Sequence, residues 1–132
     1  MSLDRIKLID IPKIIDARGN LSVIERDIIP FNINRVYYLY DVPSGSYRGG
    51  HAHKELRQFL IALSGSFDVV LKDEKGNSKT ITLNMPNKGL LIPNMIWREL
   101  ENFSSGAICL VVASDVYKKE DYIYDLDEFL SK

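Results

Sequence analysis

This 132-residue sequence is short of several features that would decide its class. Its one cysteine, Cys109, excludes an intrachain disulfide and lies in an apolar run, which favours a buried, inert thiol over a nucleophile. No apolar run approaches the roughly 20 residues that span a bilayer, and the first residues lack the apolar core of a signal peptide. We therefore expect a cytoplasmic protein without a membrane segment.

The charge balance also argues against large charged partners. The formal net charge is -1, so there is no positive excess to attract nucleic acid or an anionic membrane surface, and we expect neither as a partner. No internal repeat, low-complexity stretch or linker interrupts the chain. The length and the 45% hydrophobic content predict one globular domain over residues 1–132.

Short segments rich in Val, Ile, Leu, Tyr and Phe alternate with turn sequences such as Lys75-Gly76-Asn77. The predicted strands are Ile6–Ile9, Leu21–Glu25, Arg35–Asp41, Leu56–Ser64, Ser66–Lys72, Lys79–Leu83, Gly89–Ile92, Trp97–Asn102 and Ala107–Ala113. This spacing predicts an all-β sandwich or small barrel. Only the stretch from about Lys118 to Leu130 has a helical pattern, and we interpret its acids, Glu120 and Asp121 among them, as a solvated helix face.

The most informative segment is Arg48-Gly49-Gly50-His51-Ala52-His53, which holds both histidines of the chain. In a strand, residues two apart point to the same face, so the two imidazoles should converge. An imidazole near neutral pH either binds a metal or transfers protons. A third interpretation is a purely structural, hydrogen-bonded pair, but the flanking glycines, which permit close approach of a ligand, favour function.

The order of these residues resembles the first motif of the cupin proteins, in which two histidines and a glutamate bind a metal. Here Gln58 stands at the glutamate position, and Trp97 and Arg98 stand where a further histidine would be expected. A stable divalent site needs three or four imidazole or anionic ligands. We therefore predict no metal and favour proton transfer.

Further matching strings extend the resemblance over nearly the whole chain. They are Asp16 to Leu21, Ile29 to Phe31, Arg35 to Tyr38, Arg48 to Lys54, Gly65-Ser66, Pro93 to Trp97, Ala113 to Asp115, Tyr117 and Asp121 to Ile123. Together they resemble the TDP-4-keto-6-deoxyglucose 3,4-ketoisomerases, sugar-nucleotide isomerases of the cupin superfamily. The Arg-Gly-x-His-Ala-His-Lys string joined to Arg-Val-Tyr-Tyr and Asp-Tyr-Ile carries the specificity of the match.

The resemblance implies an all-β, cupin-type jelly-roll β-barrel with a short C-terminal helix, usually a homodimer, working without metal or cofactor. Members of the family move a keto group from C4 to C3 of a TDP-linked 6-deoxyhexose, in a route to deoxyamino sugars for surface glycans or glycosylated metabolites. The family's histidine pair corresponds to His51 and His53, and its active-site tyrosine corresponds to Tyr37.

The residues suit this chemistry on their own terms. The C4 ketone acidifies the proton on C3, and a histidine has a pKa suited to removing it. We assign His51 as the base at carbon, His53 as the group that moves the oxygen proton or polarises the carbonyl, and Tyr37 as a donor to the oxyanion. The alternative for Tyr37 is a buried aromatic; Tyr38 and Tyr40 share its strand but should face the other way.

A pyrophosphate needs cations, and Arg48, next to the histidines, is the best candidate because a guanidinium matches phosphate oxygens bidentately. Weaker candidates for substrate binding, each with an alternative as a solvated or ion-paired arginine, are Arg18, Arg35 and Arg98. Trp97 either stacks on the thymine or fills the core. Gln58 is expected on the inward face with the histidines.

Three other functions remain open at this level. A nucleotide-sugar 3,5-epimerase would exchange protons at C3 and C5, and its histidine would be paired with an aspartate. A non-catalytic sugar-binding cupin would keep its ligand affinity when His51 is replaced. A metal-dependent oxygenase would carry stoichiometric iron or zinc.

Overall fold

The computed structural model describes residues 2–131; Met1 and Lys132, the two ends of the predicted domain, lie outside the described residues. The strands are β1 (Lys7–Asp10), β2 (Lys13–Ile14), β3 (Leu21–Ser22), β4 (Arg35–Leu39), β5 (Arg48–His53), β6 (Gln58–Ser64), β7 (Phe67–Lys72), β8 (Ser78–Leu83), β9 (Lys88–Ile92), β10 (Trp97–Glu101), β11 (Ile108–Ala113) and β12 (Tyr122–Ile123). The helix α1 spans Leu126–Leu130, and 3₁₀ segments span Ser2–Arg5, Arg26–Ile28 and Lys119–Asp121.

Two antiparallel five-stranded sheets build the fold. Their strand orders are β1-β9-β6-β11-β4 and β12-β5-β10-β7-β8, and β2 and β3 form a separate hairpin. The largest core cluster takes side chains from both sheets, so the sheets pack face to face. This confirms the predicted all-β, cupin-type jelly roll with a short C-terminal helix.

Alternation along the strands sets which side chains fill the interior. In β7, Phe67, Val69 and Leu71 are fully buried, whereas the residues between them are half-buried. Such a period of two is what a strand with one face on the core requires. The same rule places Tyr37 inward on β4 and leaves Tyr38 exposed, as predicted.

A second apolar cluster covers the outer face of the first sheet. Ile11 and Ile29, from the segment before β4, pack there against Phe59 and its neighbours. Gly89 makes room for the Phe59 ring, because a Cβ at Gly89 would lie 2.0 Å from the ring. Among the described residues, no helix is long and apolar enough to cross a membrane.

The C-terminal helix is shorter than the sequence pattern predicts. The predicted helix from Lys118 to Leu130 is wrong in its first half, since residues 119–121 form a 3₁₀ turn and β12 follows it. β12 pairs with β5 through Tyr122 opposite His53. Within residues 118–130 the α-helix is limited to α1, with the Asp125 side chain accepting from the Asp127 backbone N–H at its N-terminus. The pairing of β12 with β5 places the C-terminal segment next to the strand that carries the histidines.

Candidate active site

Two glycines shape the strand that carries the histidines. Gly49 and Gly50 have φ angles of 94° and 70°, in the left-handed region that L side chains rarely adopt. The register with β10 shifts between Arg98 and Glu99, which makes Gly50 the extra residue of a β-bulge. A Cβ on Gly49 would lie only 3.1 Å from the Arg98 carbonyl oxygen. The glycines therefore let β5 lie close to β10 and place His51 opposite Arg98.

The two histidines meet, as their spacing predicts. The Nε2 atoms of His51 and His53 are 3.1 Å apart, and the rings lie edge to face with an interplanar angle of 87°. His53 is fully buried, whereas His51 is half-buried. One N–H between these nitrogens makes a hydrogen bond, so a proton bound to one Nε2 lies within reach of the other.

His51 faces a cavity between the two sheets. Polar groups from β4, β5, β6 and β10 converge on it, and the rest of its wall is apolar. Its lining residues are Tyr37, Leu39, Arg48, Gly49, His51, Gln58, Leu60, Arg98, Leu100 and Val111. A few convergent polar groups on an apolar wall are typical of a site for a small molecule.

Tyr37, Gln58 and Arg98 form one chain of hydrogen bonds in this cavity. Gln58 Nε2 donates to Tyr37 Oη over 3.1 Å, and Arg98 Nη1 donates to Gln58 Oε1. Arg98 also donates from Nη2 to the Ile96 carbonyl oxygen over 3.0 Å. Gln58 and Arg98 are each only 2% exposed, so these bonds offset the desolvation of buried polar groups. Because Tyr37 accepts from Gln58, its own O–H is left to donate into the cavity.

Burial and one buried cation set the charge states. Burial lowers the pKa of His51 to about 3 and that of His53 to about 2, and the positive charge of Arg98 lowers both pKa values further. Both imidazoles are therefore neutral at pH 7 and able to accept a proton. Burial lowers the pKa of Arg98 to about 10, which leaves the guanidinium charged. Burial raises the pKa of Tyr37, which keeps its phenol protonated.

Asp121 is the site residue that the sequence interpretation misplaced. The prediction that it lies on a solvated helix face is wrong, because its carboxylate accepts from the backbone N–H groups of Glu55 and Leu56 over 2.9 and 3.2 Å. Its Oδ2 lies 3.3 Å from Nδ1 of His53. The one sequence signal for Asp121 is its place in the Asp-Tyr-Ile string of the family resemblance, and the local sequence pattern does not reveal what Asp121 does.

Three tyrosines that the sequence analysis gave no role also surround the histidines. The ring centroid of Tyr122 lies 4.3 Å from that of His53 and 5.0 Å from that of His51. Tyr124 stacks on Tyr122 at 5.1 Å, and Tyr117 lies 5.4 Å from Tyr122. Tyr117 and Tyr124 are exposed, so this aromatic wall runs from the buried histidine to the surface.

The structure brings four of the predicted substrate-binding residues to the site. Arg48, Gln58 and Arg98 line the cavity, and the guanidinium carbon of Arg35 lies 4.4 Å from the centroid of the Tyr37 ring. Arg48 is exposed at the mouth of the cavity. The cavity thus has the buried cation of Arg98 at its base and the exposed cation of Arg48 at its entrance.

The other two predicted substrate-binding residues, Arg18 and Trp97, lie outside the cavity. Arg18, in the loop of the β2–β3 hairpin, has a side chain that is 90% exposed and an ion pair of 2.7 Å with Asp16. Trp97 is buried in a separate apolar cluster that includes Phe129, and its Nε1 donates to Glu99 over 2.8 Å. Of the two interpretations of Trp97, the structure shows the core residue.

Comparison with known proteins places this architecture in a family. Residues 4–132 match the family described as FdtA: WxcM-like, C-terminal. The chain belongs to this FdtA family. It is 46% identical over 125 residues to the TDP-4-oxo-6-deoxy-alpha-D-glucose-3,4-oxoisomerase of Aneurinibacillus thermoaerophilus, covering 93% of this chain and 88% of that protein.

Solved structures of two 3,4-ketoisomerases superpose closely on this fold. A 3,4-ketoisomerase from Helicobacter canadensis is 48% identical, with a TM-score of 0.92 over 96% of both chains. QdtA, a sugar 3,4-ketoisomerase from Thermoanaerobacterium thermosaccharolyticum solved in complex with TDP, is 42% identical, with a TM-score of 0.94 over 98% of this chain and 94% of that one. The family resemblance read from the sequence is confirmed.

Proposed function

We propose that this protein converts TDP-4-keto-6-deoxy-D-glucose to a TDP-3-keto-6-deoxyhexose. The observation that carries the proposal is the neutral, buried His51/His53 pair at the cavity, with Nε2 atoms 3.1 Å apart, in a chain of the FdtA family. The reaction is an isomerisation, so it needs no external oxidant or reductant, only groups that move two protons.

His51 supplies the base. It removes the proton from C3, and the electron pair of that C–H bond forms the enediolate as the C4 carbonyl oxygen takes up negative charge. Return of a proton to C4 and loss of the hydroxyl proton from the C3 oxygen complete the exchange of ketone and alcohol. His53 lies behind His51 and relays protons through the Nε2–Nε2 contact.

Tyr37 and Arg98 stabilise the enediolate. The O–H of Tyr37 donates to the developing oxyanion, and the buried charge of Arg98 acts at short range in a site that excludes water. The same Arg98 charge lowers the pKa of both histidines, so one cation favours their neutral form and stabilises the intermediate. We assign Gln58 as the residue that fixes the side chains of Tyr37 and Arg98 relative to each other.

We further propose that the reaction uses no metal. Across residues 2–131, no three His, Cys, Asp or Glu side chains are grouped as metal ligands would be. Gln58 is a weak ligand, and the guanidinium of Arg98 cannot bind a cation. Arg48 and Arg35 are the cations that we assign to the pyrophosphate of TDP at the mouth of the cavity.

We also propose a homodimer that works in the cytoplasm. The β2–β3 hairpin leaves Ile14, Ile15 and Leu21 exposed by 57%, 79% and 55%, an apolar surface that a second copy of the chain would cover. Such a dimer would also set the Arg18 loop against the partner. Light scattering of the wild type and of an Ile15→Asp variant tests this, with a monomer expected only for the variant.

The reaction itself is tested with metal-stripped protein and TDP-4-keto-6-deoxyglucose in deuterated water, followed by proton NMR. We expect a 3-keto product with deuterium at C4, and a loss of rate of about 10²- to 10⁴-fold in His51→Asn. Exchange at C5 would indicate a 3,5-epimerase instead. Binding of the sugar nucleotide without turnover, in folded protein, would indicate a binding module.

A further inference from the structure

Nδ1 of His53 is a fully buried nitrogen with one evident partner. Among the described residues no group forms an aligned hydrogen bond with it, yet Asp121 Oδ2 lies 3.3 Å away. Leaving a buried polar atom without a partner is unfavourable, so a small rotation of either group into alignment is favoured. A carboxylate only accepts hydrogen bonds, and therefore this contact is attractive only when Nδ1 carries the proton.

The carboxylate of Asp121 is held in place rather than free to swing away. It accepts from the backbone N–H groups of Glu55 and Leu56, and the carbonyl oxygen of Asp121 accepts from the N–H of Lys54 over 2.9 Å. All three donors come from the turn that follows the histidine strand. The turn and Asp121 thus form a rigid support directly behind the His53 ring.

We propose that Asp121 is a positioning residue that fixes His53 as the Nδ1–H tautomer, with the Nε2 lone pair directed at His51. A neutral imidazole has one N–H, and the partner of one ring nitrogen decides where it sits. With the proton on Nδ1, the Nε2 of His53 accepts from His51 across 3.1 Å. The opposite tautomer would place an N–H there and block the passage of a proton from His51 to His53.

The consequence for turnover rests on the proposed function, whereas the tautomer does not. His51 takes the C3 proton at its other ring nitrogen, which carries no proton, and its Nε2 proton passes to the Nε2 of His53, so the pair acts as one relay. Asp121 touches neither the cavity nor the reacting atoms. Its removal should therefore lower kcat with little change in KM.

The decisive experiment is ¹⁵N NMR of histidine-labelled protein at pH 7.5. The chain has only two histidines, so the spectrum holds four ring nitrogens, and His51→Asn assigns those of His53. We expect His53 in the Nδ1–H form in the wild type and in the Nε2–H form in Asp121→Asn, whose amide N–H would donate to Nδ1. The matched control is Glu120→Gln, the adjacent exposed acid, which should leave the tautomer unchanged.

Kinetics of the same variants complete the test. Asp121→Asn should lower kcat by about 10²- to 10⁴-fold, the range expected when a catalytic histidine is held in the wrong tautomer, while Glu120→Gln keeps the wild-type kcat. An Nε2–H tautomer of His53 in the wild type would overturn the proposal, even if Asp121→Asn failed to fold. A confirmed Nδ1–H tautomer in a protein that does not turn over the proposed substrate would instead reject the proposed function alone.

Discussion

The space between the two sheets has a polar end and an apolar end, and strand β6 contributes to both. The polar end comprises His51, His53, Tyr37, Gln58 and Arg98, and the apolar end comprises Ala62, Phe67, Phe103, Ala107 and Cys109. Strand β6 begins with Gln58 at the polar end and reaches Ala62, also inward, four residues later at the apolar end. His53, Gln58 and Arg98 are as deeply buried as the apolar end, so burial alone does not distinguish the site from the core.

The chemistry of the buried groups makes the difference. At the apolar end, burial raises the pKa of Cys109 to about 12, which keeps the thiol protonated and inert. At the polar end, burial and Arg98 lower the pKa of both histidines, which makes them neutral bases at pH 7. The same desolvation keeps all three groups uncharged, with the thiol protonated and both imidazoles unprotonated, because it disfavours charge on each of them. The polar end differs from the apolar end because its buried groups have hydrogen-bonded partners and a fixed cation, Arg98, beside them.

Replacing Arg98 with Met should have the largest effect on the polar end, on its histidine pKa values, its kcat and its stability. The volume is retained, but the pKa values of His51 and His53 should rise towards 6.5 because the neighbouring positive charge is gone. We expect kcat to fall by about 10²- to 10³-fold as stabilisation of the enediolate is lost. Stability should also fall by about 1–3 kcal/mol, because the Gln58 Oε1 and the Ile96 carbonyl oxygen lose their donor.

The measurement for this variant is an NMR titration of the imidazole protons beside steady-state kinetics. Arg57→Met is the matched control, since Arg57 is exposed, donates to the Pro30 carbonyl and lies over the face of the Phe31 ring. It should leave both kcat and the histidine pKa values unchanged. Histidine pKa values that stay the same in Arg98→Met would show that burial alone sets them.

A smaller effect is expected on the pH dependence of stability. Between about pH 4 and 6.5 the unfolded chain binds a proton on each histidine, whereas folded His51 and His53, with pKa values of about 3 and 2, do not. The free energy of unfolding should therefore fall as the pH is lowered, by up to about 1.4 kcal/mol per pH unit for each histidine. Below about pH 4, carboxylates with lowered pKa values, such as Asp73, add to the loss.

Urea unfolding at a series of pH values checks this slope. The matched comparison is the variant with Asn at both histidine positions, which should show a nearly flat profile from pH 6.5 to about 4. If the double variant loses stability as steeply as the wild type over this range, the histidines are not the groups that take up the protons.

Much of the polar end follows from sequence periodicity. The i, i+2 spacing of His51 and His53 predicts their contact, and alternation along β4 predicts that Tyr37 faces away from Tyr38. Alternation also sends neighbours to opposite faces, yet it cannot say which member of a pair is inward. Trp97 and Arg98 were therefore expected to point to opposite faces of their strand. Only the structure shows that the arginine lies in the cavity and the tryptophan outside it.

The role of Asp121 could not be read locally. It is 68 positions after His53 in the chain and reaches it only because β12 pairs with β5. The surrounding acids and Leu126 to Leu130 give the segment a helical pattern, and strand pairing over such a separation leaves no mark in a local window. Sequence analysis accordingly missed a site residue that reaches the histidines through the pairing of strands far apart in the chain.

The apolar end offers the smallest expected effect. Cys109→Ala removes one buried sulfur, so stability should fall by about 1 kcal/mol for the small cavity, while kcat and KM stay within twofold of the wild type. In the native wild type the thiol should react negligibly with a thiol reagent at pH 8, and fully once urea unfolds the chain, because it is both buried and protonated. A large loss of activity in this variant, or rapid modification of the native protein, would mean that the two ends are not independent and that the catalytic cavity extends to Cys109.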